Sequence, residues 1–238
     1  MSRNLICSPA PSEPTEDSLG ELARAALRYV KPGQTLGLGS GRAAEAFIRA
    51  VAEADLNIRG VPTSSATAEL ADYHKIQLVS LDEVGHLDAD FDGADEVDPQ
   101  LNMVKGRGGA LVREKVVAAA SRRRIFLVWD AKLVKRLGQH GNLPIEVLPF
   151  ATSLVLHEVA KLGLKAKVRL DAEGSRFISD NDNLILDCTV TAIRSPGRLQ
   201  HDLLGIPGVV DTGLFLGIAD LVLVVSSDGK ITHLRRSR

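Results

Sequence analysis

Lys105 and Glu114 are the residues of this chain whose types and spacing best suit proton transfer. Lys105 opens the glycine-rich turn KGRGG, and Glu114 lies on the helix predicted to follow it. Apolar residues occur on every side of that helix, namely Leu111, Val112, Val116, Val117 and Ala119. This pattern predicts burial, which raises the pKa of a carboxyl group, while a helix amino terminus and a lysine lower it. A carboxylate in that position suits a general base; the alternative is an exposed glutamate on a surface helical turn.

A second candidate is the acidic run HLDADFDGADEVD, in which Asp92 and Asp95 follow a predicted strand end. Asp88, Asp90 and Asp92 match the opening of a calcium-binding EF-hand loop, but Pro99 stands where that loop needs a bidentate glutamate. The flanking helices are also missing from the pattern. A solvated acidic turn is the plain alternative, but the position past a strand end favours reactive groups.

The third candidate is the glycine turn GLGSGR, residues 37–42. Glycines let backbone N–H groups approach an anion, and the helix that follows points its positive end toward it. The turn therefore predicts a phosphate site, with a ligand-free strand-to-helix turn as the alternative. A dinucleotide fingerprint would need a third glycine where Arg42 stands, and no Lys-Ser or Lys-Thr pair follows to make a nucleotide P-loop.

The elements that must position these residues alternate along the first part of the chain. TLGLGS reads as a strand that breaks into glycines, and RAAEAFIRAVAEA resumes a helical period. The unit repeats through NIRGVPTS, ATAELADYH, IQLVS and RIFLVW. This order predicts an α/β fold, a Rossmann-like, mainly parallel sheet with helices on both faces. Ligands of such sheets bind beyond the carboxyl ends of the strands, where all three candidates fall.

The hydrophobic pattern changes near residue 143, where a predicted helix is followed by segments in which apolar and polar residues alternate, as is typical of antiparallel strands. We predict a disordered tail over residues 1–19 and a large catalytic domain formed by residues 20–142 and 207–238. A small α+β domain, residues 143–206, is inserted between its two parts. The apolar run LVLVV is expected to return to the first sheet as a buried strand.

Composition favours small-molecule chemistry in a reducing compartment. The 29 Lys and Arg nearly balance the 30 Asp and Glu, so no strong charge draws the chain to nucleic acid or to a membrane surface. The most apolar stretch is too short to span a bilayer, the first twenty residues lack a signal peptide, and only Cys7 and Cys188 are cysteines. No zinc motif and no serine-nucleophile elbow occurs. We expect a soluble, cytoplasmic protein.

Seven segments in order resemble type A ribose-5-phosphate isomerase from about Leu22 to Asp228: GLGSG, GVPTS, DGADEVD, KGRGGALVREK, LPIEV, DNDNLILD and IPGVVDTGLF. The resemblance implies a cofactor-free enzyme of the pentose phosphate pathway that binds a pentose phosphate as a homodimer or tetramer. It also implies that Glu114 is the catalytic proton acceptor, with Lys105, Asp92 and Asp95 as the other catalytic residues. The substrate-binding residues that it implies are Gly39, Ser40, Gly41, Arg42, Ala43, Asp92, Gly93, Ala94, Asp95, Lys105, Gly106, Arg107, Gly108 and Lys132.

The chain departs from the family pattern in four places. Gly-Thr-Gly-Ser-Thr is replaced by residues 39–43, Gly-Ser-Gly-Arg-Ala, so two hydroxyls are lost. Arg42 can bind phosphate in two-pronged fashion in their place, or it can point to solvent. The Lys-Gly-Gly-Gly turn of the family becomes Lys-Gly-Arg-Gly at residues 105–108. The Asp-x-Ser-Lys motif is shortened to Asp-Ala-Lys at residues 130–132, and Asn-Gly-Asn becomes Asn-Asp-Asn at residues 181–183. These changes bear on phosphate contacts and affinity.

The hypothesis that follows is an aldose–ketose isomerisation of ribose 5-phosphate and ribulose 5-phosphate through an enediolate. Glu114 moves a proton between carbons 2 and 1, and Lys105 stabilises the negative oxygen. Asp92 helps to open the sugar ring and shuttles protons between the oxygens, while Asp95 orients the substrate or the lysine. The alternatives are a sugar-phosphate-sensing domain, another phosphosugar isomerase or an acyl transferase on the same fold.

Overall fold

The computed structural model describes residues 13–236 and contains fourteen strands and seven α-helices within that range, numbered here in chain order. The strands are β1 (Thr35–Leu38), β2 (Arg59–Pro62), β3 (Gln77–Leu78), β4 (Ala89–Gly93), β5 (Glu96–Val97), β6 (Met103–Val104), β7 (Arg124–Trp129), β8 (Asn142–Val147), β9 (Lys165–Val168), β10 (Leu184–Thr189), β11 (Val209–Thr212), β12 (Leu214–Phe215), β13 (Leu221–Val225) and β14 (Ile231–Arg235). The helices are α1 (Glu16–Leu27), α2 (Arg42–Glu53), α3 (Ser65–Tyr73), α4 (Leu81–Val84), α5 (Leu111–Ala120), α6 (Thr152–Lys161) and α7 (Pro196–Leu204). Cys7 lies outside the described residues, and Cys188 is buried on β10.

The largest sheet has seven strands in the order β3-β2-β1-β4-β7-β13-β14. All neighbouring pairs are parallel except β13 with β14. The chain runs outward from β1 through β2 to β3, and then returns to place β4 on the other side of β1. This reversal creates a switch point between β1 and β4, where ligands bind in folds of this kind. The predicted α/β fold is confirmed, as is the return of LVLVV, which forms the buried strand β13.

The two faces of this sheet are covered by different kinds of structure. Alternate strand residues such as Leu36, Phe91 and Leu127 join α1 and α2 in one core. On the opposite face, Phe126 and Val128 pack with residues of the three-stranded sheet β12-β6-β5, and Val117 of α5 packs with Val61. The helix layer predicted for this second face is therefore partly replaced by a small sheet.

A separate antiparallel sheet, in the order β11-β8-β10-β9, forms its own core with α6 and α7. Its last member, Val209–Thr212, lies in the stretch that the sequence-based division assigned to the large domain. This strand pairs with β8 of the antiparallel sheet and not with the large sheet. The domain boundaries stay predictions.

The first helix begins earlier than the sequence predicted. Residues 16–19 belong to α1, whereas the predicted disordered tail extended to residue 19. Thr15 caps the helix by accepting a hydrogen bond from the N–H of Ser18, and Glu16 and Asp17 stabilise the positive end of the helix dipole. The first twelve residues of the predicted tail lie outside the described part of the chain. Among the helices of residues 13–236, none has the length and apolar character needed to cross a bilayer.

Candidate active site

The site forms at the switch point, where the turn after β1 meets the end of β4. Gly39 follows β1 and packs directly against Asp92, so closely that a side chain at position 39 would collide with the Asp92 carboxylate. Gly41 caps α2 with φ of +81°, a conformation that favours glycine. These two glycines allow the turn after β1 to contact Asp92 at the end of β4, which explains why glycine stands at positions 39 and 41.

Lys105 joins Asp92 and Glu114 at the centre of the site. Its Nζ lies 3.0 Å from Oδ2 of Asp92 and 3.2 Å from Oε2 of Glu114, and it donates a 2.6 Å hydrogen bond to the carbonyl of Gly93. The side chains of Lys105, Asp92 and Glu114 are 3%, 1% and 6% exposed. The predicted burial of Glu114 beside Lys105 is confirmed. Two buried carboxylates therefore share one buried cation.

Burial and charge set the protonation of this centre. Burial raises the pKa of Glu114, the negative charge of Asp92 raises it further, and Lys105 opposes both; the net result raises the pKa of Glu114 to about 8. Burial likewise raises the pKa of Asp92, against the effects of Lys105 and of the backbone N–H groups of Gly93 and Ser40. For Lys105, burial lowers the pKa, but attraction to the two carboxylates outweighs it and raises the pKa above the ordinary value. A charged lysine thus faces a carboxyl group that titrates near neutral pH, which suits a general base.

A cleft of about 270 Å³ opens above Lys105 and Glu114. Every predicted site residue except Gly39 and Asp92 lines it, together with Glu13, Leu127 and Trp129, which the sequence did not indicate. Asp92 lies beneath the cleft floor, where its Oδ1 accepts hydrogen bonds from the N–H groups of Ser40 and Gly93. Asp92 thus contacts three residues that line the cleft, namely Ser40, Gly93 and Lys105.

Arg42, which was predicted to bind phosphate or point to solvent, is held by acidic residues before and within α1. Its Nη1 lies 2.8 Å from Oε2 of Glu13, and its Nη2 lies 3.4 Å from Oε1 of Glu16 and donates to the carbonyl of Pro14. The Arg42 side chain is 43% exposed. Since α2 has no side-chain cap at its start, its first N–H groups are free to face an anion in the cleft.

On the other wall of the cleft, Nζ of Lys132 lies 3.9 Å from Oδ1 of Asp95 and stacks on the ring of Trp129 at 4.4 Å. Burial lowers the pKa of Lys132, and Asp95 opposes this effect. The second oxygen of Asp95 accepts the N–H of Arg107, which fixes the glycine-rich turn. Besides Lys105, the cationic side chains of Arg42, Arg107 and Lys132 thus line the cleft.

The sequence interpretation of helix α5 needs one correction, and the rejection of a calcium-binding loop at Asp90 agrees with the structure. Helix α5 is not buried on every side, since Val116 is 49% exposed; its buried side faces the site because Glu114 and Val117 lie on it. Asp90 lies on β4, not in a calcium-binding loop between helices, and both of its oxygens lack a hydrogen-bond partner among residues 13–236. Burial raises the pKa of Asp90 well above its usual range, and the charge of Asp92 adds to this. No group of three metal-ligating side chains occurs in the same range.

A chain of hydroxyl groups at the back of the glycine turn was missed at the sequence level. Oγ of Ser40 lies 2.8 Å from Oγ1 of Thr63 and 3.3 Å from Oγ of Ser64. Thr67 in turn donates to the carbonyl of Gly39. The segment GVPTS contains two of these residues, and its position after β2 was the available signal. The hydroxyls fix the turn that forms one wall of the cleft.

Comparisons with known proteins agree with this geometry. Residues 59–229 match the family model for ribose 5-phosphate isomerase A (phosphoriboisomerase A). The ribose-5-phosphate isomerase A of Parvibaculum lavamentivorans is 45% identical to this chain over 223 residues, which cover 90% of this chain and 96% of the relative. The ribose-5-phosphate isomerase A of Thermomicrobium roseum is 45% identical over 228 residues, which cover 94% of this chain and 96% of the relative. A solved ribose 5-phosphate isomerase from Plasmodium falciparum is 32% identical and superposes with a TM-score of 0.90 over 94% of this chain and 100% of its own. A D-ribose-5-phosphate isomerase in complex with phospho-erythronic acid is 37% identical, with a TM-score of 0.89 over 94% of this chain and 100% of its own.

Proposed function

The chain belongs to the ribose 5-phosphate isomerase A family, and on that premise we propose that it interconverts ribose 5-phosphate and ribulose 5-phosphate with Glu114 as the base. One observation carries the assignment of the base: Glu114 is buried at the cleft floor, 3.2 Å from a buried lysine. The related structure that holds phospho-erythronic acid, a phosphorylated sugar acid, supports a phosphosugar as the occupant of the cleft. The enzyme is an aldose–ketose isomerase.

The reaction needs one base that can reach two adjacent carbons. Glu114 takes the proton from carbon 2 of the open-chain aldose and returns it to carbon 1, and the reverse reaction uses the same path. As the proton leaves carbon 2, negative charge develops on the oxygen of carbon 1. The hydroxyl proton on the oxygen of carbon 2 passes to that oxygen, so that a carbonyl remains at carbon 2 when carbon 1 is protonated. Lys105 is already oriented by Asp92 and by the carbonyl of Gly93, so it can stabilise this charge without reorganising. Exclusion of water from the cleft floor strengthens that interaction.

The roles of the two aspartates remain proposals. Ring opening by Asp92 requires its Oδ2, which lies 3.0 Å from Nζ of Lys105, to contact a sugar oxygen, although Asp92 itself does not line the cleft. Asp95 lines the cleft directly, and its contacts with Arg107 and Lys132 suit a residue that orients the substrate. We propose that the phosphate binds near the start of α2, Arg42 and Lys132, whose positive charge favours an anion.

Substitution of Arg42 tests the phosphate end. Arg42→Ala should raise the KM for ribose 5-phosphate about fivefold to tenfold with little change in kcat, because a charge-assisted contact to the phosphate is lost. Glu13→Gln should lower KM about twofold to threefold, since the carboxylate that competes with phosphate for Arg42 loses its charge. Steady-state kinetics of both variants measure these changes.

Two surface residues on the same helices serve as controls for that experiment. Arg49, also on α2, pairs with Glu45 at 3.8 Å, and Glu21 pairs with Arg24 at 2.7 Å, and none of the four lines the cleft. Arg49→Ala and Glu21→Gln should therefore leave KM unchanged. An unchanged KM in Arg42→Ala would remove Arg42 from the phosphate site.

The overall reaction is tested by mixing purified, metal-stripped protein with ribose 5-phosphate and following the formation of the ketose. We expect rapid conversion of ribose 5-phosphate to ribulose 5-phosphate. Hexosamine phosphates, offered as substrates in the same assay, should not be converted. Conversion of a hexosamine phosphate at a comparable rate would favour another phosphosugar isomerase, and binding of ribose 5-phosphate without turnover would favour a sensor.

We further propose a cytoplasmic enzyme that assembles as a homodimer or a tetramer, an expectation that rests on the family resemblance. Sedimentation at micromolar concentration tests the assembly. A monomer there would contradict it.

A further inference from the structure

Both neighbours of Glu114 on α5 are bound by residues from the antiparallel-sheet part of the chain. Nε of Arg113 donates a 2.8 Å hydrogen bond to Oδ1 of Asn181, and its Nη2 donates to the carbonyl of Asp180. On the other side of Glu114, Nζ of Lys115 donates a 2.7 Å hydrogen bond to the carbonyl of Thr212. The helix turn that carries the proposed base is therefore held from outside the parallel sheet.

The partner of Arg113 is itself fixed by a buried carboxylate. Glu146 of β8 is fully buried, and its Oε1 accepts hydrogen bonds from Oγ of Ser179 at 3.0 Å, Nδ2 of Asn181 at 3.0 Å and Nδ2 of Asn183 at 2.9 Å. The amide of Asn181 thus uses its N–H group to bind Glu146 and its carbonyl oxygen to bind Arg113. A single side chain bridges the buried acid and the helix.

The loop that contains Asn181 is also fastened to the large sheet at a second point. The carboxylate of Asp180 accepts hydrogen bonds from the N–H and from Oγ of Ser65, both at 2.9 Å, at the start of α3. The ring of Phe177 packs on Gly109, next to the glycine-rich turn of Lys105. These contacts leave the bridge little freedom, so a displacement of Asn181 is passed on to α5.

We propose that Asn181 is a positioning residue for catalysis, which holds Arg113 and thereby sets the distance of Glu114 from Lys105 and from the substrate carbons. The proposal rests on Glu114 being the base. A misplacement of a catalytic group by about 1 Å can cost about 100-fold in rate. Because Asn181 does not line the cleft, its loss should affect the chemical step more than substrate binding.

Asn183 supplies a matched control, since it donates the same kind of amide hydrogen bond to the same oxygen of Glu146, whereas the side-chain hydrogen bonds of Arg113 go to Asn181 and Asp180. Asn181→Ala and Asn183→Ala should lower Tm by similar amounts. We expect Asn181→Ala to lower kcat about 10-fold to 100-fold with KM changed less than about twofold. In Asn183→Ala, kcat should stay within about twofold of the parent enzyme. All assays are run at a temperature at which thermal unfolding shows every variant to be folded.

A double-mutant cycle shows whether the effect passes through Arg113. Arg113→Ala should lower kcat at least as much as Asn181→Ala, and the double variant should be no slower than Arg113→Ala, because both single variants remove the hydrogen bond between Arg113 and Asn181. Equal losses of kcat in the two asparagine variants, or losses that multiply in the double variant, would overturn the proposal. If Asn181→Ala does not fold, Arg113→Ala against Asn183→Ala decides the question. Glu114→Gln, assayed alongside, separates the two hypotheses: an active Glu114→Gln enzyme contradicts the assignment of the base, whereas an inactive one with a fully active Arg113→Ala contradicts this inference alone.

Discussion

Glu114→Gln is expected to lower kcat by about 10²-fold to 10⁴-fold, the range typical of a lost general base. Glutamine has the same length and still offers an oxygen to Lys105, but it cannot accept the proton from carbon 2. Since Lys105 keeps Asp92 as its partner, the cleft should keep its shape. KM for ribose 5-phosphate should change less than about threefold, because the lost interaction acts in the transition state.

The control for this variant is Glu158→Gln on α6, a partly exposed glutamate outside the cleft that pairs with Lys161 in its own helix. Its kcat and Tm should equal those of the parent enzyme. If Glu114→Gln turned over at a near-normal rate, Glu114 would not be the base, and Asp95, a carboxylate that also lines the cleft, would be the next candidate.

The pH dependence of the parent enzyme follows from the same residue. The base acts in its ionised form, and the pKa of Glu114 is raised to about 8. Therefore kcat/KM, which reports the free enzyme, should rise as the pH rises through about 8 and level off above it. Lys105 remains charged over this range because its pKa is raised. A profile that is flat between about pH 6 and pH 9 would contradict the raised pKa of the base.

Lys105→Met should lower both activity and stability. Loss of a preorganised cation at a developing oxyanion costs about 10²-fold to 10³-fold in kcat. The substitution also leaves Asp92 and Glu114 buried without their cation. Removing one partner of a buried ion pair costs about 3–5 kcal/mol, which for a chain of this size lowers Tm by roughly 10 °C.

The direction in which the pH midpoint of kcat/KM moves in Lys105→Met shows whether the charge of Lys105 acts on Glu114. Lys105 lowers the pKa of Glu114, so its removal should shift the pH midpoint of the residual kcat/KM upward from about 8. Lys161→Met, at an exposed pair on α6, should change neither kcat nor the midpoint. A Lys105→Met enzyme with lower Tm but unchanged kcat would show that the lysine only separates two carboxylates and does not stabilise the transition state.

Local patterns in the amino-acid sequence specify much of this protein. The strand, glycine turn and helix at residues 35–53 follow from an apolar run, φ-permissive glycines and a 3.6-residue period. The position of Asp92 at a strand end and of Glu114 near a helix start also follows from such patterns, because each depends only on neighbouring residues. Sequence order was therefore enough to predict the fold class and the groups that gather at the switch point.

Contacts between distant segments could not be read in this way. The second face of the large sheet is covered partly by β5, β6 and β12, short strands with no clear periodicity. Arg42 meets Glu13, and Arg113 meets Asn181, 68 residues further along the chain. Periodicity predicts which side of a helix or strand is buried. The order of the strands and the packing of separate sheets decide which residues from other elements contact that buried side. For that reason the chemistry of Glu114 could be predicted from its surroundings in sequence, whereas the residues that hold it in place became visible only in the folded chain.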